Sequence, residues 1–244
     1  MLNNDILASK AASFTKDSRK EFDKAVAALI SLAFRYGYMG ADFLWDKDPN
    51  LYDEAMRICR NLSDALAERA KAIAMELVAG SFDYYDFDED WDAERDEWYI
   101  PVLTRFDQQG SFLMELLEVW IALAFVHSIS RGELLVMVSR YLSNPFSSPL
   151  WRGLPNDILN WGRGYRKDIA KQISVIGIDA IIASVRAAEW QDAAAKGATY
   201  YIRRRGSNYD CPECDEECGK PIPIETPFEF LHSHCMCWPE YHYD

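Results

Sequence analysis

The chain has 244 residues, of which 49% are hydrophobic and 14% aromatic, and its net charge is −13. This apolar content is sufficient for a sizeable buried core and excludes a disordered chain. The negative charge disfavours a general nucleic-acid-binding protein, because a surface that binds phosphate must be cationic. Residues 151–205 are the exception, with 10 Lys/Arg and 5 Asp/Glu. This basic zone is either a contact for an anionic partner or an ordinary solvated helix face.

Helical periodicity dominates the first 200 residues and predicts a multi-helix body over residues 1–197. The first helix has apolar residues on one face between residues 22 and 33 and ends near Gly37. The second helix has an apolar stripe over residues 51–77, and Asn50 is its expected N-cap. The expected fold class is therefore mainly α.

Two further helices are predicted on either side of a Pro/Gly-rich break at about residues 144–156. The first runs from about 111 to 143 and contains the most apolar stretch of the chain, residues 112–126. Fifteen residues are too few to span a bilayer comfortably, so we expect a buried core helix and no membrane contact. The second helix begins at about 157 or 168 and ends at about 196.

An acidic, aromatic-rich segment at about residues 81–100 is expected to be a solvated loop. One register resembles a calcium loop, but Trp91 takes the place where the sharp turn of such a loop requires glycine. The aromatic rings are expected either to pack on the protein's own body or to anchor a partner. These aromatic residues are Tyr84, Tyr85, Phe87, Trp91 and Trp98.

The pattern changes after Gly197, and residues 198–244 are predicted to form a small β-rich module. Three strand candidates are present, at Tyr200–Ile202, Lys220–Ile224 and Cys235–Trp238. The sequence therefore predicts an α+β chain overall, with a helical body followed by a β-hairpin module.

Metal-ligating residue types are concentrated in this module, which contains five of the six cysteines and three of the four histidines. Cys59, the sixth cysteine, lies in a helical pattern and is expected to be a core residue. Clustered cysteines without an export signal favour a metal site over disulfides, and we expect synthesis in a cytosol. A module of this size also has too little core to fold alone, so that a structural metal would supply folding free energy.

The spacing predicts one structural zinc ion, held between a Cys-x-x-Cys pair and a His-x-x-Cys-x-Cys cluster. The favoured ligands are Cys211, Cys214, His232 and Cys235, with Cys237 as the main substitute. If residues 235–238 form a strand, Cys235 and Cys237 point to the same side. Cys218 and His234 are expected to be bystanders.

Motifs for catalysis are missing from the sequence, and the protein is therefore not expected to be an enzyme. The zinc deaminases combine Cys-x-x-Cys with an upstream His-x-Glu. In this chain the upstream histidine, His127, is followed by Ser128 and Ile129. No His-Glu-x-x-His motif, Walker loop or Gly-x-Ser-x-Gly elbow is found.

The order of features in the tail resembles the phage Mu F-like head morphogenesis proteins, also called minor head proteins. In that family a strand is followed by Cys-x-x-Cys, a Gly-Lys hairpin, and a proline before His-x-x-Cys-x-Cys. The corresponding residues here are Tyr200–Ile202, Cys211, Cys214, Gly219, Lys220, Pro227, His232, Cys235 and Cys237. Ser233, His234 and Met236 depart from the residues that the family usually has at those places.

The resemblance implies a structural protein of a phage or prophage virion, made in the cytoplasm of a bacterial host. It implies contacts with the portal protein or with capsid or scaffold proteins, either inside the capsid or at the portal. Two alternatives stay open. One is a zinc-stapled adaptor unrelated to phage, and the other is a zinc-ribbon nucleic-acid-binding protein that would use Arg203, Arg204 and Arg205.

Overall fold

The structure is a computed structural model that describes residues 4–143, 169–206, 210–232 and 235–243. Within these residues the fold is mainly α, with a small antiparallel sheet near the C-terminus, as the sequence predicts. The α-helices are α1 (Asn4–Arg35), α2 (Pro49–Val78), α3 (Phe87–Val126), α4 (Arg131–Ser143), α5 (Ile169–Ala195) and α6 (Pro212–Glu217). Two 3-10 helices cover Gly37–Asp42 and Trp45–Lys47. The strands are β1 (Tyr200–Arg204), β2 (Pro221–Pro223) and β3 (Trp238–His242). The predicted break at 144–156 lies outside the described residues.

The start of α2 differs by two residues from the sequence prediction, because Asp48 and not Asn50 caps the helix. The carboxylate Oδ1 of Asp48 accepts hydrogen bonds from the backbone N–H groups of Asn50, at 2.9 Å, and Leu51, at 3.3 Å. Pro49 occupies the first helical position, where its missing N–H has no cost. The Asp-Pro pair is therefore the actual start signal.

The prediction of an acidic loop over residues 81–100 is wrong from Phe87 onward, where α3 begins. Asp86 caps this helix: its backbone N–H donates to Asp90 Oδ2 at 3.0 Å, and its Oδ1 accepts from the Glu89 N–H at 3.4 Å. Carboxylates near a helix N-terminus are stabilised by the helix dipole, so the acidic run here favours a helix start. The helical backbone also rules out the calcium-loop register.

The single helix predicted over 111–143 is in fact two helices, α3 and α4. Ser128, between them, has a positive φ of 52°. Ser130 and Glu133 then form a capping box. The Ser130 N–H donates to Glu133 Oε2 at 2.9 Å, and the Glu133 N–H donates to Ser130 Oγ at 3.3 Å. The Ser-x-x-Glu spacing is a start signal that apolar periodicity alone does not reveal.

The C-terminal part of α3, Ile100–Val126, is long and apolar enough to cross a bilayer by length and composition. Its most apolar window has a mean hydropathy of 1.5, and 44% of that window is buried inside the protein. A core helix of a soluble protein meets the same criteria. The expectation that the protein does not contact a membrane stays a prediction.

Two compact units are defined by contacts within the chain: Met1–Phe14, Glu68–Val102 and Val175–Asp244 form one, and Thr15–Ala67 and Leu103–Ser174 form the other. The predicted module of residues 198–244 thus belongs to the same unit as most of α5. The indole Nε1 of Trp190 on α5 donates to the Ile224 carbonyl at 2.8 Å, which joins this helix to the residue after β2.

The second unit has an aromatic core around Trp45. Its ring lies 5.0 Å from that of Phe43 in an edge-on arrangement, and its Nε1 donates to the Met114 carbonyl at 2.8 Å. Cys59 is 3% exposed, as expected for a core residue, and burial raises the pKa of its thiol to about 12. A Cβ on Gly110 would lie 3.0 Å from the Cys59 Cβ, so α3 passes close to this thiol.

The sheet has the order β2-β1-β3 and both pairings are antiparallel. β1 is therefore the central strand of the small β-rich module that the sequence predicts. The third strand begins at Trp238, opposite Arg204, and not at Cys235. Cys235 and Cys237 precede the strand, so strand alternation is not what brings their thiols together. β2 is a short edge strand that begins and ends with proline, which only an edge position tolerates.

Three of the aromatic residues in the acidic segment pack on the protein itself. Tyr85, Phe87 and Trp91 are between 5% and 8% exposed, whereas Tyr84 is 59% exposed. The rings of Phe87 and Trp91 stack at 5.2 Å, and Lys71 Nζ lies 5.6 Å from the Trp91 ring. The Trp98 side chain lies outside the described residues. The three buried rings are core residues, so a partner-anchoring role is excluded for them.

We therefore expect Trp91→Ala to lower the free energy of unfolding by about 3–5 kcal/mol, because it removes a buried ring that the structure cannot replace. The measurement is urea denaturation followed by circular dichroism. Tyr84→Ala is the matched control, and its effect should be below about 1 kcal/mol. Equal stability of the two variants would contradict the burial of Trp91.

Candidate metal centre

The cysteine and histidine residues meet at one end of the small sheet. Cys211 and Cys214 lie at the start of α6, in the connection from β1 to β2. His232, Cys235 and Cys237 lie in the connection from β2 to β3. Arg204, the last residue of β1, pairs with Trp238, the first residue of β3. The connection that leaves β1 and the connection that enters β3 therefore lie at the same end of the sheet. The register of the sheet therefore positions the donors.

These donor atoms form two groups of three that share Cys214. In the first group, His232 Nε2 lies 3.2 Å from Cys211 Sγ and 3.1 Å from Cys214 Sγ. In the second group, the Sγ atoms of Cys214, Cys235 and Cys237 all lie within 4.8 Å of one another, and the Cys214–Cys235 distance is 3.9 Å. Around a tetrahedral zinc ion, two sulfurs are separated by about 3.8 Å and sulfur and nitrogen by about 3.6 Å. The cluster can therefore hold a metal ion.

The site is enclosed by apolar surface. Cys211, Cys214, Cys235 and Cys237 are between 2% and 8% exposed, and they form a buried cluster of their own. Cys218, Phe230 and Leu231 pack against this cluster. His232 is half-buried. A metal ion at this place would be largely shielded from solvent.

Burial also governs the protonation of the thiols. It raises the pKa of Cys214 and of Cys235, and it raises the pKa of Cys218 to about 11. The pKa of Cys237 is lowered, because hydrogen bonds from the Cys214 thiol and the Gly206 backbone outweigh the effect of burial. Most of these thiols are therefore protonated without a metal, and a metal ion must displace their protons to bind.

Three consecutive arginines beside the site are engaged within the module. Arg203 is 4% exposed; its Nη2 donates to the Glu229 carbonyl at 2.7 Å, and its guanidinium lies 4.3 Å from the Phe228 ring centroid. Arg204 forms an ion pair with Glu240. The contacts of Arg203 are thus buried, whereas the Arg204 ion pair lies at the surface.

Arg205 is directed toward the metal centre. Its guanidinium forms an ion pair with Asp215 and also donates to the Cys211 carbonyl, at 3.1 Å. It thereby links the end of β1 to the first turn of α6, which carries two of the donors. All three arginines of the predicted zinc-ribbon surface thus have contacts inside the module.

The structure brings together all five predicted ligands: Cys211, Cys214, His232, Cys235 and Cys237. It also places Cys218, expected to be a bystander, with its Sγ 4.0 Å from that of Cys237. The signal for Cys218 in the sequence was its spacing of four residues from Cys214. That spacing puts both residues on one face of a helical turn, where the Cys218 N–H donates to the Cys214 carbonyl at 2.9 Å. His234 lies outside the described residues.

Comparison of the chain with protein-family profiles, with curated proteins and with solved structures finds no match.

The close approach of two backbone segments at Gly206 provides a test of this geometry. A Cβ at Gly206 would lie 1.5 Å from the carbonyl oxygen of Met236, between Cys235 and Cys237. We expect Gly206→Ala to destabilise the module by about 3 kcal/mol or more, because a backbone atom cannot move aside as a flexible side chain can. Limited proteolysis followed by mass spectrometry would show faster cleavage after residue 197. Glu213→Ala, at an exposed position on α6, is the control and should be cleaved as slowly as the unmodified protein.

Proposed function

We propose that the C-terminal module is a structural zinc module and that the protein is a non-enzymatic assembly component, a minor head protein of a phage or prophage. The observation that carries the zinc assignment is the pair of donor groups that share Cys214. Several thiolates and one imidazole form a soft, nitrogen- and sulfur-containing donor set, which suits zinc better than calcium or magnesium.

A structural role is favoured over a catalytic role by the number and burial of the donors. A catalytic zinc ion keeps one coordination position open for water or substrate. Here five predicted ligands compete for four positions, and the four buried cysteines are at most 8% exposed. No position is left for a reacting water. The proposed contribution of the metal is therefore folding free energy.

The module needs this contribution because its sheet is small. β2 has three residues, and β1 and β3 have five each. A sheet of this size is marginal by itself in water. A metal ion bound by α6 and by the segment around Cys235 would join the β1–β2 connection to the β2–β3 connection.

The phage assignment rests on the order of motifs in the tail. The strand at Tyr200, the Cys-x-x-Cys pair, the Gly-Lys step and the His-x-x-Cys-x-Cys cluster follow one another as in the Mu F-like head morphogenesis proteins. Under this proposal the protein is located in the virion, inside the capsid or at the portal. Its partners are the portal protein or capsid or scaffold proteins. A zinc-stapled adaptor unrelated to phage is the alternative, since it would use the same module.

A surface groove in the second compact unit supports a protein partner. It has a volume of about 440 Å³, and its lining is mostly apolar, including Leu44, Val119, Leu123 and Val126. Leu44 and Val126 are 40% and 56% exposed. Contiguous exposed apolar residues are more typical of a protein contact than of a surface that stays in water.

The zinc assignment predicts that Cys214→Ser removes the metal and unfolds the tail, because Cys214 belongs to both donor groups. Zinc content, measured by inductively coupled plasma mass spectrometry, should fall from at least one ion per chain to none. Proteolysis should then remove the residues after 197 and leave the helical body. Cys59→Ala, which changes a buried thiol of the other compact unit, should keep the metal. A metal-free wild-type protein with an intact tail would refute the assignment.

The assembly assignment predicts that the protein co-purifies with the portal or capsid protein encoded beside its gene. Val126→Asp in the apolar groove should reduce this retention at least about tenfold, because it places a charge in an apolar contact. Val136→Asp is the matched control, since Val136 is 50% exposed and lies on α4 outside the groove lining. If no phage head protein is retained at either low or high salt, the phage assignment is rejected and the adaptor alternative is favoured.

A further inference from the structure

The metal centre contains more soft donors than one zinc ion can bind. Among the described residues, six donor atoms have a sulfur or nitrogen neighbour within 4.0 Å: one is His232 Nε2, and five are cysteine sulfurs. These cysteines are Cys211, Cys214, Cys218, Cys235 and Cys237. A tetrahedral ion takes four donors. A single ion would therefore leave two donors without metal inside a largely buried cluster.

The distances place the donors in two neighbouring sets that meet at Cys214. Cys211 and His232 are neighbours at 3.2 Å, and Cys218 and Cys237 are neighbours at 4.0 Å. Cys214 contacts His232 at 3.1 Å and also belongs to the group with Cys235 and Cys237. The first pair thus contacts Cys214 through His232, and the second pair is connected to Cys214 through Cys237.

Cys214 and Cys235 have the spacing of two sulfurs bound to one zinc ion. Their sulfurs are 3.9 Å apart, close to the edge of about 3.8 Å for a zinc ion bound by sulfur. A thiolate sulfur has more than one lone pair and can bind two metal ions at once. Bridged two-zinc clusters held by six cysteines are a known solution in small domains.

We propose that the module binds two zinc ions that share the sulfurs of Cys214 and Cys235. Cys211 and His232 complete the first tetrahedron, and Cys218 and Cys237 complete the second. This inference rests on the proposed zinc-binding function. It extends that function by a second metal site, for which Cys218 is a ligand.

The charges around the second site are consistent with this arrangement. Five thiolates and two divalent ions leave one net negative charge. Arg203 is 4% exposed, and its Nε and Nη1 have no hydrogen-bond partner among the described residues. The Arg203 carbonyl accepts a hydrogen bond at 3.0 Å from the backbone N–H of Gly219, the residue after Cys218. A buried guanidinium with unused donors is stabilised by a nearby thiolate cluster.

The test is the zinc stoichiometry of the untagged full-length chain, saturated with zinc and then dialysed. We expect two zinc ions per chain in the wild type, one in Cys218→Ser, and two in the control Cys59→Ala. Cys218→Ser keeps the first tetrahedron, so its tail should stay folded and resistant to protease. With cadmium in place of zinc, ¹¹³Cd NMR should show two coupled resonances in the wild type and one in Cys218→Ser.

One zinc ion per chain in the wild type would overturn the second site and leave the proposed structural zinc intact. Two ions in Cys218→Ser would also overturn it, because the second ion would then lie elsewhere. No zinc in the wild type would reject both this inference and the proposed function.

Discussion

The C-terminal module depends on the convergence of its two connections at Cys214. This residue contacts His232 at 3.1 Å and Cys235 at 3.9 Å, so it is the point where α6 meets the segment before β3. The sheet itself cannot provide this constraint, because its edge strand has three residues and contains two prolines. The register of the sheet places the two segments at the same end of the sheet. There the backbones at Gly206 and Met236 approach so closely that no side chain fits between them.

Directed polar contacts attach this module to α5. The Trp190 indole donates to the Ile224 carbonyl. Within α5 itself, Arg186 and Glu189 form an ion pair whose side chains are both 2% exposed. A buried ion pair adds little net stability but is costly to break, so it favours one arrangement of the surrounding side chains. Tyr241 on β3 is near this pair: its pKa is raised chiefly by burial and further by the charge of Glu189. Contacts of this kind explain why the last residues share a compact unit with a helix of the body.

Several acidic side chains take part in local contacts of the fold. The carboxylates of Asp48, Asp86 and Glu133 each accept a backbone hydrogen bond that caps the start of a helix. Near the module, Asp215 and Glu240 neutralise two of the three consecutive arginines. These five residues therefore say little about a partner, because their charges are used locally. The exposed apolar groove beside Leu44 is a more informative surface.

The sequence by itself determined the features that depend on near neighbours along the chain. Apolar periodicity was sufficient for the mainly helical class, and the Cys-x-x-Cys and His-x-x-Cys-x-Cys spacings were sufficient to name five residues that the structure brings together. The sequence did not determine where α3 begins, because an acidic run suits a loop and a helix start equally well. The hydrogen bonds by which Asp86 caps the N-terminus of α3 are visible only in the structure. Only the tertiary structure placed Cys218 beside Cys237, since their proximity depends on the pairing of Arg204 with Trp238 and on the turn of α6. Contacts between distant segments follow from strand register and chain folding, which residue spacing does not encode.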